Sequence, residues 1–315
     1  MQLTAWWFPG QGAQSLDMGR ELYERIPEVR AVFERADEAL GFALSKLMFE
    51  GPLEELTRTE NTQPALVTCS YACLAALRTR VALPNAAFAA GHSLGEYTAL
   101  VASGVLTLED AVRTVRLRGR AMQQAVPAGA GAMAAVLGMS EDEVRALCTD
   151  AAQGEVISTA NFNAPGQIVI AGTSAAVARA TAIASERGAR AIALKVSAPF
   201  HCALMQPAVA PVRDALATLM MGVMQVPVVA NVDAAPYASA ADTTARLVSQ
   251  VTSPVRWSES VGYMHTAGVR LAFEFGPGAV LAGLAKRIHK DIQVLGVFDE
   301  ASLDAAAARV VQAPS

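Results

Sequence analysis

Charge, aromatics and cysteine are all scarce in this chain. Charged residues fill only 17% of its 315 positions and aromatics 6%, against 53% apolar residues. Such a composition excludes a disordered polymer and describes a compact globular protein with room for a substantial core. The net charge of −4 gives no general attraction to nucleic acid or to an anionic membrane. One local exception is Lys286-Arg287-Ile288-His289-Lys290, read as a solvated helix end or, alternatively, a docking patch for an acidic partner. The four cysteines, Cys69, Cys73, Cys148 and Cys202, form no C-x-x-C pair and no Cys/His grouping, so no metal site is expected. Cys69 and Cys73 lie four apart in a helical stretch and read as buried free thiols. The start lacks a charged segment leading into a long apolar one, and no run is long enough to span a bilayer. The expectation is a cytoplasmic protein with reduced thiols. No internal repeat is visible.

What is present is more specific. Gly91-His92-Ser93-Leu94-Gly95 has the G-x-S-x-G form of a nucleophile elbow, in which a strand turns sharply into a helix and presents a serine at the turn. The apolar run 86–90 before it suits a buried strand, and 96–103 after it suits a helix. Residues 3–8 read as another strand, ended by Pro9-Gly10-Gln11-Gly12, with helical patterning from about Met18 and a helix from Pro64 to about Arg80. Alternating strands and helices predict a parallel sheet covered on both faces. Trp6-Trp7, just before the first turn, has no functional account in the sequence.

Thr107 and Asp110 resemble a helix start, and the spacing predicts a helix over 108–124. Leu108, Ala111, Val115, Arg118 and Met122 share its apolar stripe, while Arg113, Arg116 and Arg120 fall elsewhere. Arg118 therefore points inward and needs a partner, because an unpaired buried guanidinium is very costly. Either a core carboxylate or a ligand carboxylate satisfies that need. From 132 the pattern becomes strand 132–139, helix 141–152 with a Ser140/Glu143 capping box, strands 156–161 and 167–171 around Asn163-Ala164-Pro165-Gly166, helix 175–187 and strand 189–196. This β-α-β-β-α-β order is ferredoxin-like and reads as an inserted subdomain. Strand 226–232, a helix from about Thr243, strand 271–275, Gly276-Pro277-Gly278 with a helix after it, and strand 292–297 then complete the main body. The Ala-rich tail is expected to be partly loose.

A serine nucleophile requires a base. Of four histidines, His92 adjoins the serine on a sharp turn and reads as structural, His265 has no special surroundings and His289 sits in the basic cluster. His201, where the chain returns from the insert, is the best candidate by elimination.

With these features in place, the chain resembles the malonyl-CoA:acyl-carrier-protein transacylases, the discrete acyltransferases of fatty acid and polyketide synthesis. The matching motifs run in family order over nearly the whole chain: Phe8–Gln14 (FPGQGAQ), Thr62–Leu66 (TQPAL), Gly91–Tyr97 (GHSLGEY), Arg118-Gly119, Asn161–Gln167 (NFNAPGQ), Pro199-Phe200-His201 and Gly276-Pro277-Gly278. The resemblance implies an α/β fold, an α/β-hydrolase-like parallel-sheet body (1–127 and 198–315) with an inserted ferredoxin-like subdomain (128–197), and a site in the cleft between them. It implies Ser93 as nucleophile, His201 as base, and backbone carbonyls, including that of Gln250, orienting the imidazole in place of a triad acid. It further implies an oxyanion hole from the N–H groups of Gln11 and Leu94, Arg118 as receptor for the malonyl carboxylate, and Gln63 and Asn161 in the pocket. Ala13 stands where the family commonly has serine, with little effect expected. Malonyl-CoA is the implied substrate and a phosphopantetheinylated acyl carrier protein the implied partner, with no tightly bound cofactor or metal. Lys286, Arg287 and Lys290 are candidate contacts for that acidic carrier.

Phe200, beside His201, resembles malonyl-selective members, so a preference over methylmalonyl is expected. Activity is expected to fall as His201 protonates near or below about 6.5. The nearest alternative is an acyl hydrolase or thioesterase of the same fold, which has no need of a carboxylate receptor at Arg118. A non-catalytic interaction protein is a further alternative, opposed by the presence of both Ser93 and His201.

Overall fold

The computed structural model describes residues 3–312. Five parallel strands form the main sheet: β1 (Leu3–Phe8), β2 (Phe88–Gly91), β7 (Val228–Val229), β8 (Val269–Phe275) and β9 (Gln293–Val297), in the order β7-β2-β1-β8-β9. Between β2 and β7 in the chain, β3 (Gly131–Leu137), β4 (Ile157–Ala164), β5 (Gln167–Thr173) and β6 (Arg190–Ala193) form an antiparallel sheet in the order β4-β5-β3-β6. With helices Glu141–Ala152 and Ser174–Glu186 on one face, this is the ferredoxin-like arrangement, carried on an α/β-hydrolase-like body.

The Trp6-Trp7 pair, opaque in the sequence, has a packing role. Consecutive strand residues point to opposite faces, and a parallel sheet is covered on both. Trp6 joins the larger core cluster, with the Arg78 guanidinium 5.2 Å from its ring. Trp7 enters the cluster on the other face, edge-on to Trp257 at 5.5 Å. Both tryptophans are fully buried, so the central strand wedges a large ring into each layer.

Two expectations are corrected. The helix expected to begin at Pro64 begins five residues earlier and runs Thr59–Arg80. Its first turn is tied down by Asn61 Nδ2 donating to the Glu55 carbonyl (2.9 Å) and Thr62 Oγ1 to that of Leu56 (2.6 Å), contacts that no local propensity encodes. The tail expected to be partly loose forms helix Glu300–Gln312, and its last residues, 313–315, lie outside the described residues. Asp299 caps it through Ser302 N (2.8 Å), and Leu303 and Ala306 are buried against the body.

The strand order reverses at β1, with β2 and β7 on one side and β8 and β9 on the other. In open parallel sheets ligands bind beyond the carboxyl ends of strands at such a point. Here those ends lead into Pro9-Gly10-Gln11 after β1 and His92-Ser93 after β2.

Candidate active site

The turn after β2 is as tight as the motif requires. A Cβ on Gly91 would lie 2.0 Å from the Gly95 carbonyl, and one on Gly95 would lie 2.2 Å from the Phe8 carbonyl. Ser93 at the apex has φ 52°, a left-handed conformation that is costly for a side-chain-bearing residue and common at nucleophile turns. Helix Gly95–Ala102 follows directly.

Ser93 opens into a cleft of about 490 Å³ between the two sheets. The body contributes Gln11, Gln63, Leu94 and Arg118 to its wall. Asn161 lines it from β4, at a register shift in that strand, and Phe200 and His201 line it where the chain returns from the insert. Ser93 Oγ is 2.7 Å from His201 Nε2, and His201 Nδ1 is 3.0 Å from the Gln250 carbonyl and 3.2 Å from that of Ser253. Two carbonyl acceptors at Nδ1 select the tautomer protonated there and leave Nε2 as the acceptor for the serine proton. His201 itself has φ 60°, so the backbone is bent to aim the ring. Among the described residues, neither Gln11 N–H nor Leu94 N–H is engaged in a protein hydrogen bond.

Burial, with help from the nearby Arg118 charge, pushes the His201 pKa down to about 3, despite the two carbonyls that favour the charged form. The imidazole is thus held neutral well below its reference range, which puts the acid limb, expected near or below about 6.5, on the low side of that value. Because kcat/KM reports the free enzyme, the rate of Ser93 acylation should stay level from about pH 8 to about pH 5. Rapid-quench acylation across that range checks this, and a half-maximal fall at about pH 6.5 would count against it.

Arg118 reaches the cleft from helix Leu108–Gln124 and is 2% exposed. Its guanidinium donates to Gln63 Oε1 (2.8 Å), Gln250 Oε1 (2.9 Å) and Ser93 Oγ (3.1 Å). None of these partners is a carboxylate, and Nε has no partner. Of the two alternatives left open by periodicity, a direct core ion pair is therefore not what the helix builds. The buried cation is instead held by neutral groups, Ser93 Oγ among them.

Sequence reasoning missed three polar residues beneath the elbow. Asn231, just past β7, accepts from Ser93 N (2.7 Å) and donates through Nδ2 to the Gly91 carbonyl (2.7 Å). Glu96, fully buried, accepts from Asn231 N (3.0 Å), Gln250 Nε2 (2.7 Å) and Tyr237 Oη (2.5 Å). The available signal was a lone carboxylate in the otherwise apolar helix that follows Ser93. Burial raises the Glu96 pKa, opposed by those three donors and by the Arg118 charge.

The other histidines are placed differently. His92 Nε2 meets Asn163 Oδ1 at 2.8 Å and ties the elbow to the insert. His289, expected in an exposed cluster, is half-buried and stacks on His265 at 3.8 Å with rings 5° from parallel. His265, His289 and Asp291 have ligand-type atoms within 4.8 Å of one another. Parallel stacked rings do not converge their lone pairs on one point, and Asp291 is also engaged by Arg270 at 3.1 Å. Arg287 of the basic cluster turns to the insert and donates to Gln167 Oε1 (2.6 Å), while Lys286 and Lys290 face solvent.

Residues 5–307 match the acyl transferase domain family. The chain is 46% identical over 308 residues to the malonyl CoA-acyl carrier protein transacylase of Bacillus subtilis, covering 97% of this chain and 96% of that one. It is similar in structure to the malonyl CoA-acyl carrier protein transacylase of Coxiella burnetii, at TM-score 0.96 and 41% identity, with 98% of each chain covered. A malonyl-transacylase solved in complex with a type II PKS acyl-carrier protein matches at TM-score 0.93 and 43% identity, over 98% of this chain and 99% of that one.

Proposed function

The chain belongs to the acyl transferase family, and from that premise we propose that it moves a malonyl group from malonyl-CoA to the phosphopantetheine thiol of an acyl carrier protein. The observation that carries this reading is the buried Arg118 guanidinium 3.1 Å from Ser93 Oγ, held by neutral groups. In direct hydrogen-bond contact with Ser93 Oγ, it is a receptor for the free carboxylate of a short diacyl group carried on that oxygen. A hydrolase of simple acyl chains has no use for such a group.

In the first half-reaction His201 Nε2 takes the Ser93 proton as Oγ attacks the thioester carbonyl. The oxyanion that forms is met by Gln11 and Leu94 N–H groups, each donor of this kind being worth about 10²–10³ in rate. Collapse expels CoA, which takes the proton from His201. In the second half His201 deprotonates the carrier thiol, which attacks the seryl ester and regenerates Ser93. The Gln250 carbonyl keeps the ring oriented, while Gln63 and Asn161 shape the pocket around the malonyl group. We assign the catalytic body to 1–127 and 198–315 and the insert to 128–197. No tightly held cofactor enters these steps. No helix among the described residues is long and apolar enough to cross a membrane, and a cytoplasmic location is proposed.

Intact-protein mass after brief exposure to malonyl-CoA, followed by addition of holo carrier protein, tests the reading. One malonyl adduct that moves to the carrier thiol is the expected result. An adduct released only to water would favour the hydrolase.

Extender choice follows from Phe200, a residue 9% exposed that lines the cleft wall. A methyl-sized mismatch discriminates by about 10- to 200-fold. Phe200→Ser should raise kcat/KM for methylmalonyl-CoA relative to malonyl-CoA towards that range. An unchanged ratio in direct competition would show that the ring does not set the limit.

A further inference from the structure

The polar cluster under Ser93 is not absorbed by the transfer chemistry, yet it touches Ser93, His201 and Arg118. Its centre is the Glu96 carboxylate, which has no contact with the cleft and spends both oxygens on three donors. One arm runs through Asn231, whose side chain clamps the elbow on both sides of His92, at Gly91 O and Ser93 N. The other runs through Gln250. Its Nε2 donates to Glu96 and to the Ser93 carbonyl (3.0 Å), its Oε1 accepts from Arg118, and its backbone carbonyl faces His201. The amide of Gln250 therefore has its orientation set by Glu96. With Nε2 committed to a carboxylate, only Oε1 can face the guanidinium.

We propose that Glu96 is the anchor of a positioning relay, fixing the nucleophile through Asn231 and the carboxylate receptor Arg118 through the Gln250 side chain. The physical reason is the buried charge. An anion needs donors: Glu96 pins Asn231 by its backbone N–H, holding in place the side chain whose Nδ2 and Oδ1 grip Gly91 O and Ser93 N, and it captures Gln250 by Nε2, which turns the accepting end of that amide, Oε1, towards Arg118. Glu96 and Arg118 thus remain electrostatically coupled without direct contact, which leaves the guanidinium free to pair with substrate. Tyr237, from the far side, holds the second carboxylate oxygen in place. The second arm rests on the malonyl-transfer reading; the first does not.

The two arms separate in the kinetics. Acylation of Ser93 is measured by rapid quench with malonyl-CoA and with acetyl-CoA, beside melting temperature for each variant. Asn231→Ala should slow acylation by both donors about 10- to 100-fold at nearly constant KM, the effect of a nucleophile displaced by a fraction of an ångström. Gln250→Ala keeps the backbone carbonyl and should lower the malonyl-over-acetyl preference about 10-fold or more, the loss of a hydrogen bond to a charged group. Glu96→Gln should do both. If that variant does not fold, Tyr237→Phe carries the test, with a smaller slowing of both donors expected. Losses that simply track melting temperature, or rates within about twofold of wild type for Glu96→Gln or its substitute, would overturn the relay. A wild-type protein acylated by acetyl-CoA but not by malonyl-CoA would end the malonyl reading, and the Gln250 arm with it, while the Asn231 arm is still scored on acetyl transfer.

Discussion

Ser93→Ala should abolish the malonyl adduct and lower carrier malonylation by about 10⁴-fold or more, with the fold intact. Enzymes whose nucleophile and base act as a unit lose nearly all covalent catalysis when either is removed, because the other groups stabilise a state that no longer forms. The substitution deletes only the Oγ contacts to His201 Nε2 and Arg118. The bonds to the residue's backbone that shape the elbow, Ser93 N donating to Asn231 Oδ1 and Gln250 Nε2 donating to Ser93 O, are untouched. Alanine meets the same φ of 52° with the same Cβ, so the melting temperature should stay close to wild type. Intact mass and a thermal melt together check this. A variant that still carries one malonyl group would place the nucleophile elsewhere.

Arg118→Ala should cost malonyl transfer about 10²- to 10³-fold in kcat/KM while acetyl transfer falls much less. Truncating one member of a buried, hydrogen-bonded charge pair typically costs 2–5 kcal/mol, and here the pair forms only when a carboxylated substrate binds. The substitution also strands Gln63 Oε1 and Gln250 Oε1, each an unsatisfied buried acceptor worth roughly 1–3 kcal/mol of stability. A lower melting temperature is therefore expected alongside the change in selectivity. Parallel competition assays with malonyl-CoA and acetyl-CoA separate the two effects. Equal loss on both donors would make Arg118 a purely structural cation.

Periodicity alone turned Arg118 inward, since the stripe shared by Leu108, Ala111, Val115 and Met122 leaves it no solvent-facing position. Helices Leu108–Gln124 and Glu141–Ala152 were legible to the residue, because each starts at a capping side chain, Thr107 or Ser140, whose bond to the third helical residue is local. The helix over Thr59–Arg80 was misplaced at its start because Asn61 and Thr62 are held by carbonyls of the preceding turn of chain. Helix Gln206–Ala217 left no periodic signal strong enough to name, with Pro207 and Pro211 inside it.

By itself, then, the sequence determined the alternating strand-and-helix body, the ferredoxin-like insert, the elbow that presents Ser93, the inward arginine and the family motifs. Those are properties of near neighbours in the chain: a turn that only glycine permits, an apolar stripe, a capping pair. The tertiary structure alone decided what faces what. His201 meets Ser93 across 108 positions, Asn231 meets it across 138 and Gln250 across 157. Only the tertiary fold brings the buried Glu96 carboxylate under these groups, where it holds Asn231 by its backbone N–H and the Gln250 amide by Nε2. Hydrogen bonds between such distant groups leave no spacing to read, because their geometry is set by how the turn after β2, the segment after β7, the return from the insert and helix Thr243–Gln250 come together.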